Sequence, residues 1–168
     1  MKMTSFRING RAVSRLSING REVNFGQEPV ACDALCFTAE EAGSTVKLTK
    51  NGSAPDVNLQ TSTDGISWTP YTVEDTITLA NIGDKVYFKA VGSNEKMASG
   101  VSDYNNFVMT GQIAASGNIN SLLEEDEETA RTMSIVAYNC YTSLFYNCTS
   151  LTQAPELPAT TLTNYCYS

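Results

Sequence analysis

The side chains of this chain with most chemical potential are five cysteines, Cys32, Cys36, Cys140, Cys148 and Cys166, and no histidine accompanies them. Without an imidazole, neither a Ser-His-Asp nor a Cys-His pairing can form within the chain. Cys32 and Cys36 have the spacing of half a metal site, but zinc needs four ligands and no second close pair exists, so no metal is expected. An odd cysteine count argues against a closed disulfide framework. Cys140, Cys148 and Cys166 are expected to act instead as small, buried, reduced side chains. The carboxylate pairs Glu40/Glu41 and Glu74/Asp75 have the composition of an acid and a base. Both fall in predicted loops, away from the apolar surroundings that would raise one pKa. Glu124-Glu125-Asp126-Glu127-Glu128 lacks the interleaved turn residues of a calcium loop, and a solvated acidic linker is expected. Gly10, Gly20 and Gly26 sit in turns, where they build no phosphate cradle. No cofactor is expected, and the chain reads as a non-enzyme.

Binding is the chemistry that remains. Tyr138, Tyr141, Tyr146, Tyr165 and Tyr167 are five of the eight tyrosines, so this residue type concentrates near the C-terminal end. A tyrosine offers flat apolar area with a hydroxyl at its rim, which suits recognition of proteins and glycans. At least half of these rings are expected to stack inside the fold. Tyr138, Tyr141, Tyr146 and Asn147 are the candidate ligand-recognition residues, with Tyr146 the one expected to be exposed.

The elements that must position these residues are strands, and the expected class is all-β. Residues 30–117 show period-two alternation at Val46/Leu48, Val57/Leu59, Ile66/Trp68, Ile77/Leu79 and Val86/Phe88. Turns at Asn51-Gly52, Asp64-Gly65 and Gly83-Asp84 divide them. Strands are predicted at 34–38, 44–50, 57–62, 66–73, 76–79, 85–91 and 107–114. Such a series suits an immunoglobulin-like sandwich with Trp68 as core anchor. No apolar run approaches the length of a membrane span, and no membrane insertion is expected.

Residues 1–29 carry a ten-residue repeat: Phe6-Arg7-Ile8-Asn9-Gly10-Arg11 is echoed by Leu16-Ser17-Ile18-Asn19-Gly20-Arg21. Asn-Gly between alternating apolar residues signals a two-residue hairpin turn, so strands near 4–8, 11–18 and 21–25 form a predicted meander. Val13 and Leu16 are three apart and fall on opposite sides of a regular strand. Either a bulge near Ser14-Arg15 reconciles the two apolar sets, or both faces are covered. Within residues 1–25, Lys2, Arg7, Arg11, Arg15 and Arg21 oppose only Glu22, although the whole chain has a net charge of −7. So small a meander is barely stable alone. It reads as a docking segment, with Phe6, Arg7, Arg11, Arg15 and Arg21 as the candidate particle-docking residues; an extension of the adjacent domain is the alternative. Arginines on strands without interleaved aromatics, beside an acidic remainder, argue against nucleic acid. No apolar segment follows Lys2, so no secretory leader is expected.

Residues 118–168 are expected to hold an acidic linker and the first, truncated unit of a leucine-rich-repeat solenoid. Tyr138-Asn139-Cys140-Tyr141 returns as Asn164-Tyr165-Cys166-Tyr167, an offset of 26 residues, and Met133–Val136 is the expected first solenoid strand. Asn147-Cys148-Thr149-Ser150-Leu151-Thr152, followed by Ala154-Pro155-Glu156-Leu157-Pro158-Ala159-Thr160-Thr161-Leu162, resembles the repeat of BspA-like leucine-rich-repeat surface proteins of anaerobic bacteria and their phages. The likeness covers residues 133–168, about a fifth of the chain. It implies a binding role at a virion or cell surface. The expectation is a phage fibre or capsid decoration docked on a capsid or tail protein by residues 1–29, reaching a host protein or glycan with its repeats. A homo-oligomer, in such fibres typically a trimer, is the expected assembly. A secreted or surface-anchored bacterial adhesin is the alternative, and further repeats are expected to follow Ser168.

Overall fold

Alternating burial generates the main body of the protein. Along β6 (Ser44–Lys50), Ser44, Val46 and Leu48 point inward while Thr45, Lys47 and Thr49 point outward, the period-two pattern of a strand with one face in a core. The computed structural model describes residues 32–135 and 137–167, together with the backbone of four short strands before them. These four are β1 (Arg7–Ile8), β2 (Arg11–Ala12), β3 (Arg15–Ile18) and β4 (Arg21–Asn24). They form two antiparallel ladders in which Ile8 pairs with Arg11 and Ile18 with Arg21. Residues 1–31 make one unit and residues 32–168 another. Phe6 and the joint at residues 13–14 lie outside the described residues.

The second unit is mostly β. Its further strands are β5 (Leu35–Ala39), β7 (Leu59–Ser62), β8 (Thr69–Tyr71), β9 (Ile77–Leu79), β10 (Lys85–Ala90), β11 (Asn105–Thr110), β12 (Ile113–Ser116) and β13 (Leu151–Gln153). One sheet has the order β13-β12-β5-β10-β7-β8 and the other the order β11-β6-β9. All neighbours are antiparallel except β12 and β13, which are parallel. Between the sheets, Phe37, Phe88 and Phe107 meet edge-on, with ring centres 4.8–5.8 Å apart. Burying each ring stabilises the fold by about 2–3 kcal/mol. A second tie crosses the gap through Tyr71 on β8. Its hydroxyl accepts from Leu48 N at 3.0 Å and donates to Asp75 O at 2.7 Å.

Several sequence expectations need correction. The strand expected at 107–114 is two strands, one in each sheet, because Gly111 turns the chain at φ +77° where a Cβ would collide with Ser44. The strand expected at 66–73 begins only at Thr69. Asp64 Oδ1 accepts from the N–H groups of Ile66 and Ser67 at 2.8 and 2.7 Å, and this turn winds the segment away from the ladder. Ile66 is therefore 73% exposed. Trp68 is not the core anchor. It lies half-buried, with the Lys89 ammonium 4.4 Å from its ring centre. The phenylalanine cluster takes the central role expected of Trp68.

The acidic linker expected after residue 117 is ordered, and the boundary expected at 117/118 falls inside the second unit. Ile119–Leu122 form a 3₁₀ turn that is buried along its whole length. Helix α1 (Glu127–Thr132) follows, capped by Asp126, whose carboxylate accepts from Thr129 N at 2.9 Å. Glu127 and Glu128 occupy its first turn and Arg131 its last, each sign matching the helix dipole. Arg131 also pairs with Asp33 at 2.6 Å. Glu125 accepts from Gly92 N at 2.8 Å and from the Gln60 amide at 3.0 Å. The acidic run thus serves as caps and loop ties. Of the strand expected at 133–136, Ile135 forms one parallel bridge with Leu162, and Val136 lies outside the described residues.

Asn120 is fully buried; its amide donates to Ala130 O at 3.0 Å and its carbonyl accepts from the Tyr141 hydroxyl at 2.9 Å. Asn120→Ala removes the donor to the buried Ala130 carbonyl and leaves the Tyr141 hydroxyl only its longer contact to Ile119 O at 3.4 Å, and stability measured by urea unfolding should fall by about 2–3 kcal/mol. A loss below about 0.5 kcal/mol, the range of an inert surface change, would contradict this account of the seam.

Candidate functional site

The repeat residues form two short coils stacked in register. Tyr141 N donates to Cys166 O at 2.8 Å, and Asn139 N to Asn164 O at 3.4 Å. The Tyr141 and Tyr167 rings lie parallel, 5.4 Å apart with 3° between their planes, and Tyr138 meets Tyr165 edge-on at 5.7 Å. Asn139 and Tyr165, 26 residues apart, both take left-handed backbone, with φ of 56° and 57°. The sequence repeat is therefore also a repeat of backbone conformation. The first coil is bonded to the two-sheet body. Met97 N donates to Cys140 O and Phe107 N to Leu144 O, both at 2.8 Å. Phe145 stacks on Phe107 with ring centres 5.7 Å apart.

A hollow of about 340 Å³ opens where the coils turn. Its walls are largely apolar: Leu144, Phe145 and Tyr146 from one side, Ala154, Pro155 and Leu157 from another, with Tyr141 and Tyr167 behind. Prolines 155 and 158 flank Leu157 and bar a regular strand there, which leaves Leu157 51% exposed at the rim. Tyr146 is 57% exposed. It also borders a second hollow of about 310 Å³, which carries the amides of Asn51, Asn106 and Asn147. Tyr104 supports the ring edge-on at 6.4 Å. Asn106 Oδ1 accepts from Thr49 Oγ1 at 2.6 Å and from the Asn51 amide at 2.7 Å, which fixes the floor of this second hollow. Tyr146 is thus a ridge between an apolar hollow and an amide-lined one.

The candidate recognition residues are divided between these features. Tyr146 borders both hollows, Asn147 borders the polar one, and Tyr138 stands apart, paired with Tyr165. Tyr141 is only 3% exposed, and its hydroxyl is engaged by Asn120, so it contributes a wall and no free donor. Of the docking candidates, Arg7, Arg11, Arg15 and Arg21 have their backbones on β1, β2, β3 and β4. Sequence reasoning missed Leu157, Pro155 and the asparagines of the β6–β11 pair. The proline flanks of Leu157 were a readable signal for an apolar side chain held out of the core.

Among the described residues, no cluster of three or more His, Cys, Asp or Glu could hold a metal ion. No described helix is long and apolar enough to cross a membrane. The carboxylate pairs are engaged in structure: Glu74 accepts from Lys50 N at 2.8 Å and pairs with Lys47 at 3.3 Å, and Glu40 accepts from Thr152 Oγ1 at 2.7 Å. No known family, curated protein or solved structure matches the chain.

Burial pushes the Cys32 and Cys148 thiols up to about 11 and the Cys140 thiol up to about 12, from an ordinary 9.0. At neutral pH these thiols are protonated in both states and add no pH dependence. As the pH rises further, the unfolded chain releases protons that the folded chain keeps, so stability falls. The urea midpoint should hold steady up to pH about 8.5 and drop towards pH about 11, with a shallower drop in Cys140→Ala. An equally steep drop in that variant would remove Cys140 as a contributor.

Proposed function

We propose that this chain is a non-enzymatic recognition module that binds a host-surface protein through its repeat coils, with Tyr146 at the centre of the contact. The observation that carries this is the Tyr146 ridge, which parts an apolar hollow from an amide-lined one. A partner segment with an apolar side chain beside a backbone or amide group would fill both. The walls of the larger hollow offer few hydrogen-bonding groups, which favours a protein over a glycan, since sugars need many polar partners. Aromatic ridges beside pockets are the usual site of binding hot spots.

The two sheets serve in this proposal as an immunoglobulin-like spacer with an exchange of its outer strands. An immunoglobulin domain pairs its first strand with the second and its last with the penultimate. Here β5 pairs with β10, and β11 with β6. The stacked coils stand as the opening of a leucine-rich-repeat solenoid of the BspA-like kind. The ten-residue basic repeat of residues 1–29 is assigned to docking on a capsid or tail protein, as part of a phage fibre or capsid decoration. Assembly as a homo-oligomer, a trimer in the favoured case, would multiply weak contacts into avidity. Since the repeat likeness serves a bacterial adhesin equally well, the particle itself decides between the two settings.

Purified phage particles should contain this chain by mass spectrometry, and its absence from them would leave the adhesin. Tyr146→Ala should weaken binding of the fluorescently labelled protein to host cells by about tenfold or more. Its melting temperature should change little, because the ring is 57% exposed. Protease treatment of the cells should abolish binding, while loss after periodate oxidation alone would point to a glycan and overturn the protein partner.

A further inference from the structure

We propose that Cys140 and Cys166 are an oxidisable pair that closes into a disulfide and staples one repeat coil to the next. Three observations place them together. They occupy equivalent positions in coils whose backbones run in step, as the Tyr141 N to Cys166 O bond at 2.8 Å shows. The next residues, Tyr141 and Tyr167, stack face to face, so neighbouring side chains at this level point the same way. Each thiol also shifts the other's ionisation, as two neighbouring sulfurs do. The other cysteines have different partners: Cys148 donates to Phe107 O at 3.0 Å, Cys32 meets Glu127 at 3.5 Å and Cys36 meets Thr38 at 3.9 Å.

The oxidant is a small-molecule disulfide such as oxidised glutathione. Cys166 attacks one glutathione sulfur as a thiolate and expels a glutathione thiolate, leaving a mixed disulfide. Cys140 then attacks the Cys166 sulfur, and the second glutathione leaves. Two protein thiols have become one disulfide, and one glutathione disulfide has become two thiols, which take up the two protons. Both cysteines are buried, at 0% and 3% exposure, so the outer coil must lift before the first attack. The reaction is therefore slow in the native protein and faster near the melting transition. Once closed, the staple fixes Tyr141 and Tyr167 against each other and with them the rear wall of the apolar hollow. This inference stands whether or not the hollow binds the proposed partner.

The test uses the full chain incubated with oxidised glutathione a few degrees below its melting temperature. The expected product is lighter by two hydrogens, and proteolytic mapping joins the Cys140 and Cys166 peptides. Its melting temperature should rise by about 10 °C, as closing a loop of this length predicts, and return on reduction. Cys140→Ala and Cys166→Ala should each abolish the product, and Cys148→Ala should keep it. Stable glutathione adducts without closure, a bond joining any other pair, or closure with no rise in melting temperature would overturn the proposal.

Discussion

A fully buried amide side chain governs how the second unit holds together. Asn120 sits between helix α1 and the first repeat coil, and its amide satisfies a backbone carbonyl on one side and a tyrosine hydroxyl on the other. Buried polar groups stabilise only when every member finds a partner. Its neighbour Ser121 obeys the same constraint. Ser121 Oγ accepts from Leu35 N and donates to Phe88 O, both at 2.9 Å, joining the segment to β5 and β10. Asn118 Oδ1 accepts from Asn120 N at 2.8 Å and closes the turn. Residues 118–121 are thus a polar seam through an apolar body, and each bond in it fixes one element relative to another.

The repeat coils inherit their position from that seam and from the aromatic cluster. With the Tyr141 hydroxyl held inward, its ring becomes a fixed surface on which Tyr167 stacks. Phe145 enters the group of Phe37, Phe88 and Phe107, so the coil is packed into the same core as the two sheets. What remains outside is the part of the coil that cannot turn inward. Asn147 sits in left-handed backbone just after Tyr146, at φ 57°, and Leu157 stands between prolines. The exposed ridge and rim follow from backbone geometry as much as from side-chain polarity.

Local electrostatics explain why so acidic a segment is ordered. An Asp at the N-cap, two Glu in the first turn and an Arg in the last complement both ends of a helix too short to persist alone. Glu125 satisfies a backbone N–H at Gly92, and Asp33 answers Arg131. The carboxylates are spread over separate donors, which limits their mutual repulsion.

The sequence by itself determined the β character, the full span of β6, the pairing of Ile8 with Arg11 and of Ile18 with Arg21, and the 26-residue offset of the tyrosines and cysteines. These are short-range properties: alternation, turn chemistry and repetition act within a few residues or at one fixed spacing. Tertiary structure decided what depends on partners distant in the chain. Trp68 has the composition of a core anchor, yet the Asp64 turn sets it outside the ladder, beside Lys89. Residues 118–132 read as a solvated linker because five acids stand in a row. Donors at Gln60, Gly92 and Asn94, as well as Arg131, order them. Its polar neighbour Asn147 set Tyr146 apart in the sequence as the exposed ring, but only the fold supplied Asn120 to bury the Tyr141 hydroxyl and two hollows for Tyr146 to border. Period and turn type are written in neighbouring residues, whereas the burial of a ring or a carboxylate depends on which remote groups the packed chain brings to it.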